Sequence, residues 1–222
     1  MTNIANRPHV KLRVTFSKKG RAAYISHLDL LRTFIRALRR AQIPVKYSEG
    51  FNPHAQLTFA LPLAVGATSE CELVDITLTN PIDVAEAVKN LSKALPEGIT
   101  VNEAQLVYGS FPEFRMARYT LTIENDSPIT DKLKQDIVDV FRLTGVMVEK
   151  KTKKKTTMVN ILEHIYEFKI EKAEGNILTF NAMLSAGNEF TLKPDLAISG
   201  ISSACEGFNP VFMGIHRTEI LT

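Results

Sequence analysis

Hydrophobic and polar side chains alternate strictly over residues 10–16, which is the period-two pattern of a half-buried β-strand. A helical pattern follows, because Ser26-His-Leu-Asp29 has the spacing of a capping box and Pro44 ends the element. Its predicted apolar stripe consists of Leu28, Leu31, Phe34, Ile35 and Leu38. Further strands are predicted over residues 56–62, 71–78 and 99–107, with a helix from Asn80-Pro81 before the last of them.

The second half of the chain repeats this order of patterns. Strands are predicted over residues 117–124, 146–149, 166–171, 177–185 and 211–220. An amphipathic helix is predicted over 130–144 and a short helix over 194–204, and residues 150–163 form an extra segment. Each half therefore approximates β-α-β-β-α-β, the order of a ferredoxin-like domain.

We therefore expect an α+β fold with two ferredoxin-like domains in tandem. The predicted divisions are a flexible tail at residues 1–9, an N-terminal domain at 10–108, a linker at 109–114 and a C-terminal domain at 115–222. The C-terminal domain would carry a lysine-rich loop, because five of the six residues 150–155 are lysines.

The pentapeptide Glu-Gly-Phe-Asn-Pro occurs twice, at residues 49–53 and 206–210. Each copy lies between a helical and a strand-like pattern, which favours an internal duplication. A turn used twice is more often structural than functional, so we expect Phe51, like Phe208, to be buried. His54 has no counterpart in the second copy, where Val211 follows the proline, and we expect it to be functional.

Composition narrows the class of protein. No run of 18 apolar residues occurs, so we expect no membrane span. The two cysteines, Cys71 and Cys205, form no paired motif, which disfavours a disulfide framework or a cysteine-built metal site and indicates a cytoplasmic protein. No nucleotide, metal or nucleophile motif appears, and we expect no cofactor or metal.

Charge is segregated along the chain despite a net charge of only +3. Residues 1–50 contain 11 Lys/Arg and 2 Asp/Glu, whereas residues 51–149 contain 7 and 14. Few carboxylates lie among the early cations, so pairing within the helix leaves most of them available for phosphate or an acidic protein. The predicted RNA- or partner-binding residues are Arg13, Arg32, Arg36, Arg39, Arg40, Lys46, Tyr47, Lys151, Lys153 and Lys154.

His27 and His54 are candidate catalytic residues. At a helix N-terminus the imidazole of His27 would be kept neutral, and His54 lies in the first pentapeptide loop. Together they could serve as general base and acid in a metal-independent RNA endonuclease. The alternatives are that Ser26 and Asp29 only cap the helix, or that His27, Asp29 and His54 bind a metal.

Several segments resemble a known bacterial family. They are Lys11-Leu-Arg-Val-Thr-Phe-Ser-Lys, Tyr24-Ile-Ser-His-Leu-Asp-Leu, Arg36-Ala-Leu-Arg-Arg-Ala, Tyr47-Ser-Glu-Gly-Phe-Asn-Pro-His, Leu61-Pro-Leu-Ala-Val-Gly, Lys193-Pro-Asp-Leu and His216-Arg-Thr-Glu. The chain resembles the radical SAM-linked protein family, over roughly residues 10–221. Members of that family are encoded beside a radical SAM protein or are fused behind one, often near a gene for a ribonuclease of the E/G type. The resemblance implies no established activity.

The resemblance implies an accessory role. A radical SAM enzyme needs clustered cysteines to hold its iron–sulfur cluster, and two distant cysteines cannot supply them. We therefore expect a non-catalytic accessory or substrate-recognition protein that works with a radical SAM enzyme and binds RNA through the basic N-terminal region. DNA and membranes are not expected partners. The alternatives are the endonuclease above and a protein–protein adaptor that binds no RNA.

Overall fold

The computed structural model describes residues 9–151 and 156–222, apart from the side chain of residue 151. The fold belongs to the predicted mixed α+β class. The chain divides into two units, Met1–Pro112 and Glu113–Thr222, which are described separately. Of the predicted tail at residues 1–9, only His9 lies within the described residues.

The first unit contains four strands and two helices in the order β-α-β-β-α-β. They are β1 (Val10–Lys18), α1 (His27–Arg40), β2 (Leu57–Phe59), β3 (Thr68–Thr77), α2 (Val84–Ala94) and β4 (Ile99–Tyr108). The strands pair antiparallel in the order β4-β1-β3-β2. Alternate residues of β1 are buried, as its period-two pattern predicts, and Phe16 packs against Phe34 of α1 with ring centroids 4.9 Å apart.

Helix α1 begins where the sequence predicts, but its buried face is rotated from the predicted one. Ser26 caps the helix by accepting a hydrogen bond from the amide of Asp29 at 3.2 Å. Leu28, assigned to the apolar stripe, is 61% exposed. The fully buried face instead contains Leu30, Phe34, Ala37 and Leu38, at positions i, i+4, i+7 and i+8.

Two further element boundaries differ from the prediction. Helix α2 begins at Val84 rather than at Asn80-Pro81, because the side chain of Asp83 accepts a hydrogen bond from the amide of Glu86 at 3.0 Å and caps the helix there. Strand β2 is short because the backbone of the residues before it pairs with an earlier segment: the amide of Gln56 donates to the carbonyl of Lys46.

The second unit contains β5 (Met116–Asn125), α3 (Asp131–Asp139), β6 (Met147–Lys151), β7 (Thr156–Asn160), β8 (Ile165–Glu174), β9 (Ile177–Ser185), α4 (Pro194–Ala204) and β10 (Pro210–Leu221). Four strands pair antiparallel in the order β10-β5-β9-β8, and the extra segment forms the separate hairpin β6-β7. The predicted helix over residues 130–144 is shorter, because the 3-10 turn Val140–Arg142 follows α3.

Candidate nucleic-acid interface

The exposed side of α1 carries the cations that remain after ion pairing. Arg32 donates to the carboxylate of Asp29 at 2.9 Å, and both side chains are largely exposed. Arg36 and Arg39 are also exposed, and in the described part of the chain no carboxylate lies within ion-pair distance of either guanidinium. Arg36 lies close enough to Asp29 to contribute, after Ser26 and Arg32, to lowering the pKa of that carboxyl group. We call Arg32, Arg36 and Arg39 the basic face of α1.

Other predicted cations have structural partners instead. Arg13 binds Asp75 through two hydrogen bonds, Nε to Oδ1 at 2.7 Å and Nη2 to Oδ2 at 2.9 Å, and stacks over the ring of Phe111. These hydrogen bonds to Asp75 raise the pKa of the Arg13 guanidinium. Arg40 donates to the carbonyl of Ala94 at the end of α2. The sequence analysis counted only carboxylates close to these cations along the chain. Strand β3, which is distant in sequence, pairs with β1 and brings Asp75 to Arg13.

The first pentapeptide copy lies in a closed loop. The backbones of Tyr47 and Ala55 form an antiparallel bridge, and the amide of Ser48 donates to the carbonyl of His54 at 2.9 Å. The Ser48 hydroxyl accepts from the amide of His54 at 3.0 Å and lies 2.8 Å from its Nδ1. Gly50 has a φ of 116°, which a glycine adopts without strain. We call residues 47–55 the Phe51 loop.

Phe51 at the middle of this loop is 105% exposed, so the prediction that it is buried is wrong. In the second copy, Phe208 is 0% exposed and contacts Phe180. The difference arises from side chains outside the pentapeptide. The buried amide of Asn125 binds the backbone on both sides of Phe208, and Ser202 donates to its carbonyl at 2.7 Å.

The base of the Phe51 loop lies against the C-terminal half of α1. Arg39 lines a surface cavity of about 300 Å³ together with Tyr47 and Ala55. Tyr47 is partly exposed, and the ammonium group of Lys46 lies 2.5 Å from Nε2 of His9. The base of this loop therefore lies beside Arg39, where the basic face of α1 ends.

His27 and His54 lie apart in this geometry. His27 is the first residue of α1, and its ring meets the edge of Phe59 at the end of β2 with centroids 5.4 Å apart. Ala55, which follows His54 in the loop, lines a cavity with Arg39. Arg39 lies twelve residues after His27, which is about 18 Å along the helix axis at 1.5 Å per residue. Among the described residues, no group of three or more His, Cys, Asp or Glu side chains could hold a metal ion. His27, Asp29 and His54 therefore do not form the metal site that the sequence offered as an alternative.

Of the lysine-rich segment, only its first residue has a described side chain. Lys150 donates to the carbonyl of Thr191 at 2.9 Å, and its ammonium group lies 3.6 Å from the ring centroid of Phe190. Burial is the main cause that lowers its pKa, and Lys193 contributes. Lys153 and Lys154 lie outside the described residues, as does the side chain of Lys151.

A family model matches residues 11–194, which is most of the chain. The family is described as an uncharacterized protein conserved in bacteria, DUF2344. The chain belongs to this family. No curated protein sequence matches it. No helix of the described DUF2344 chain is long and apolar enough to cross a membrane.

Solved structures that match this DUF2344 protein share little sequence with it. A Cbf5-Nop10-Gar1 complex matches with a TM-score of 0.50 at 11% identity over 94% of this chain and 48% of that chain. An archaeal box H/ACA sRNP Nop10-Cbf5 complex matches with a TM-score of 0.48 at 11% identity, over 95% of this chain and 48% of that chain. Thermus thermophilus Cse3, bound to an RNA representing a pre-cleavage complex, matches with a TM-score of only 0.27 at 14% identity, over 93% of this chain and 98% of that chain. The chain thus spans about half the length of the chains that it matches in the two Cbf5-containing complexes, and the likeness to the first of them concerns the fold alone.

Proposed function

We propose that the first unit binds single-stranded RNA through the Phe51 loop and the basic face of α1. The observation that carries this proposal is the full exposure of Phe51 on a loop whose base lies beside Arg39. Because the side chain of Phe51 is exposed, it adds no packing to the folded chain. The corresponding Phe208 is buried, and Asn125 and Ser202 bind its turn. An unpaired nucleobase offers the flat apolar surface that such a ring can stack on.

The charges near the loop suit a nucleic-acid backbone. Arg36 and Arg39 lie on one face of the helix, because residues three apart are neighbours on its surface. Guanidinium groups bind phosphate through paired hydrogen bonds, and α1 carries only Asp29 to compete, near its other end. A stacking ring beside phosphate-binding cations is the usual composition of a single-strand binding surface.

We further propose that both units are ferredoxin-like domains, as the β-α-β-β-α-β patterns of residues 10–108 and 115–222 predict. The strand orders β4-β1-β3-β2 and β10-β5-β9-β8 support this. When the separate hairpin β6-β7 is left out of the count, both orders are fourth, first, third and second strand by position in the sequence. Such sheets have many functions, so the RNA proposal rests on Phe51 and the arginines rather than on the fold.

The accessory role remains a proposal from the sequence. Resemblance to the radical SAM-linked family suggests a radical SAM enzyme as partner, and two cysteines cannot hold that enzyme's cluster here. The separation of His27 from His54 disfavours the endonuclease, because one general base and one general acid must both reach the same phosphodiester. We therefore propose a recognition protein that performs no chemistry itself.

Binding of labelled single-stranded RNA, measured by fluorescence anisotropy across a salt series, tests the proposal. Phe51→Ala should weaken binding roughly 5- to 100-fold, which is the worth of one stacked base. Arg36→Glu/Arg39→Glu should weaken it further. It should also make the negative slope of log K against log salt less steep by about 1.4, for two lost phosphate contacts.

Two matched variants control for general effects. Lys89→Glu/Lys93→Glu makes the same change of charge on the exposed side of α2, and Phe212→Ala removes another exposed phenylalanine. Both should bind like the wild type. If both charge-reversal pairs lost the same affinity for RNA, the effect would depend on net charge alone and not on the basic face of α1. Unaltered binding in Phe51→Ala would refute the stacking role, and retention of a radical SAM protein without RNA would favour the adaptor.

A further inference from the structure

The second unit contains a cavity of about 390 Å³ that no function considered so far uses. It lies where β9 ends, and its walls include Phe114, Arg115, His164, Tyr166, Ser185 and Phe190. Its volume lies within the range of small-molecule sites in proteins, and its mixture of aromatic and polar walls is typical of them. We call it the His164 cavity.

A glycine allows the wall of this cavity to form. A Cβ atom on Gly187 would lie 2.2 Å from the carbonyl oxygen of Phe114, so only glycine permits this close approach of two backbones. The hydroxyl of Thr191 braces the turn by donating to the carbonyl of Gly187 at 3.0 Å and accepting from its amide at 3.3 Å. Phe190 is thereby held against His164.

Hydrogen bonds fix the polar groups of the cavity. The hydroxyl oxygen of Ser185, a buried residue, lies 3.1 Å from Nδ1 of His164 and 3.0 Å from the hydroxyl of Tyr166. The imidazole stacks on Phe190 with centroids 3.7 Å apart, and Lys150 covers that same phenyl ring. Because Nδ1 is engaged, Nε2 of His164 stays available as donor or acceptor according to the tautomer.

Tyr166 supplies a stacking surface. Its hydroxyl is held by Ser185, whereas the residue as a whole is 53% exposed. A ring whose position is fixed loses little conformational entropy when a flat ligand packs on it, so the binding free energy is larger. The cavity thus combines an immobilised aromatic face with hydrogen-bonding groups of both kinds.

The charges of the walls select against a phosphate and for a neutral ligand. Burial is the main cause that lowers the pKa of His164, which keeps the imidazole uncharged at neutral pH. Arg115 donates to Glu113 at 3.3 Å, and Glu189 adds a second carboxylate to the lining. An anion would therefore meet two carboxylates and one guanidinium.

We propose that the His164 cavity binds a nucleobase, from a free nucleoside or from an unpaired nucleotide of RNA. A base has a flat face for Tyr166 and an edge with both donors and acceptors for Nε2 of His164 and for Asn188, which also lines the cavity. This site is independent of the Phe51 loop, and RNA binding at the loop does not require it.

NMR of the imidazole nitrogens, with the intact protein, tests this proposal. The four ribonucleosides and a short single-stranded RNA are titrated separately, and the signals of His164 are followed. At least one nucleoside should shift them saturably. Tyr166→Ala should weaken that binding roughly 5- to 100-fold through loss of the stacking face, whereas Tyr166→Phe keeps the ring and should weaken it less. Tyr108→Ala, another exposed tyrosine, should leave it unchanged.

The outcomes separate the two sources and the two proposals. Saturation by a free nucleoside assigns a small-molecule site, and saturation by RNA alone assigns an unpaired base. Unmoved His164 signals with every nucleoside and with RNA would overturn the proposal, as would equal affinity of the wild type and Tyr166→Ala. Neither result bears on the Phe51→Ala binding curve, which tests the loop alone.

Discussion

At the scale of single residues, Asp75 organises the cations of β1. It is buried on β3, binds Arg13 through both carboxylate oxygens and lies 3.7 Å from the ammonium group of Lys11. A buried carboxylate without its cation, or the reverse, is costly because neither charge is solvated. This pair is therefore structural, whereas Arg32 with Asp29 is an exposed pair of small energetic value.

We predict that Asp75→Asn lowers the free energy of unfolding by about 3 kcal/mol, because the guanidinium of Arg13 loses its charged partner in a partly buried position. Urea denaturation measures the change. Asp29→Asn removes a carboxylate from an exposed arginine and should lower the free energy of unfolding far less. Similar losses in the two variants would contradict a structural role for the buried pair.

The titration of His164 makes the stability of the second unit depend on pH. Burial lowers its pKa below the ordinary value near 6.5, aided by Lys150 and opposed by Glu163. Between the lowered pKa and about 6.5 the unfolded chain binds more protons, so the free energy of unfolding should fall as pH decreases through this window. Comparing urea midpoints near pH 7 and pH 5 should show a smaller drop in His164→Asn than in the wild type. An equal drop would contradict the prediction.

At the scale of elements, the two pentapeptide copies show that identical residues can form a buried turn or an exposed loop. Phe208 is buried because β5 and α4 supply Asn125 and Ser202 to bind its turn. In the first copy the loop closes on itself through Ser48 and His54. The surrounding elements, rather than the pentapeptide, therefore determine the position of the phenylalanine.

Helix α4 depends on one glycine for its packing. A Cβ atom on Gly200 would lie 2.4 Å from Cδ1 of Ile161 and 2.8 Å from Cγ1 of Val148 of the hairpin. We predict that Gly200→Ala lowers the free energy of unfolding by about 1–3 kcal/mol, because overpacking outweighs the gain in helix propensity. Thermal denaturation measures this. Ser199→Ala, at an exposed position of the same helix, should be nearly neutral, and a stabilised Gly200→Ala protein would refute the close packing.

At the scale of the whole molecule, the segregated charge is weaker than the sequence suggests. Residues 1–50 have 11 cations against 2 carboxylates, but the first unit as a whole, residues 1–112, has 13 against 9. Folding pairs Arg13 and Lys19 with Asp75 and Glu70, which lie beyond residue 50. Of the predicted binding cations, Arg32, Arg36 and Arg39 therefore remain together on the exposed face of α1.

The first unit has a hydrophobic core formed from its own residues, which lie between Val10 and Leu106. We predict that a fragment of residues 1–112 folds alone, because this core buries both helices against the sheet. Dispersed amide signals in an NMR spectrum would show this, and RNA binding of the fragment should have the salt dependence of the full chain. A fragment with the spectrum of an unfolded chain would show that the core is insufficient.

The sequence by itself determined the α+β class, the order of the elements and the N-cap of α1. These follow from period-two and helical patterns and from one serine, which are local properties of the chain. The start of α2 differs from the predicted start because the side chain of Asp83 caps the helix there. The sequence predicted Arg32, Arg36 and Arg39 as binding cations on one helix, and the structure places all three on its exposed face.

Tertiary structure alone decided which candidate residues are available for binding. Pairing of β1 with β3 brought Asp75 to Arg13 across 62 positions of sequence, and no local pattern records such a contact. Asn125 binds the turn of Phe208, which is buried, whereas Phe51 is exposed. The loop that was expected to be structural is therefore the candidate site. Burial, ion pairing and the separation of His27 from His54 depend on residues distant in sequence, and the packing of elements determines them.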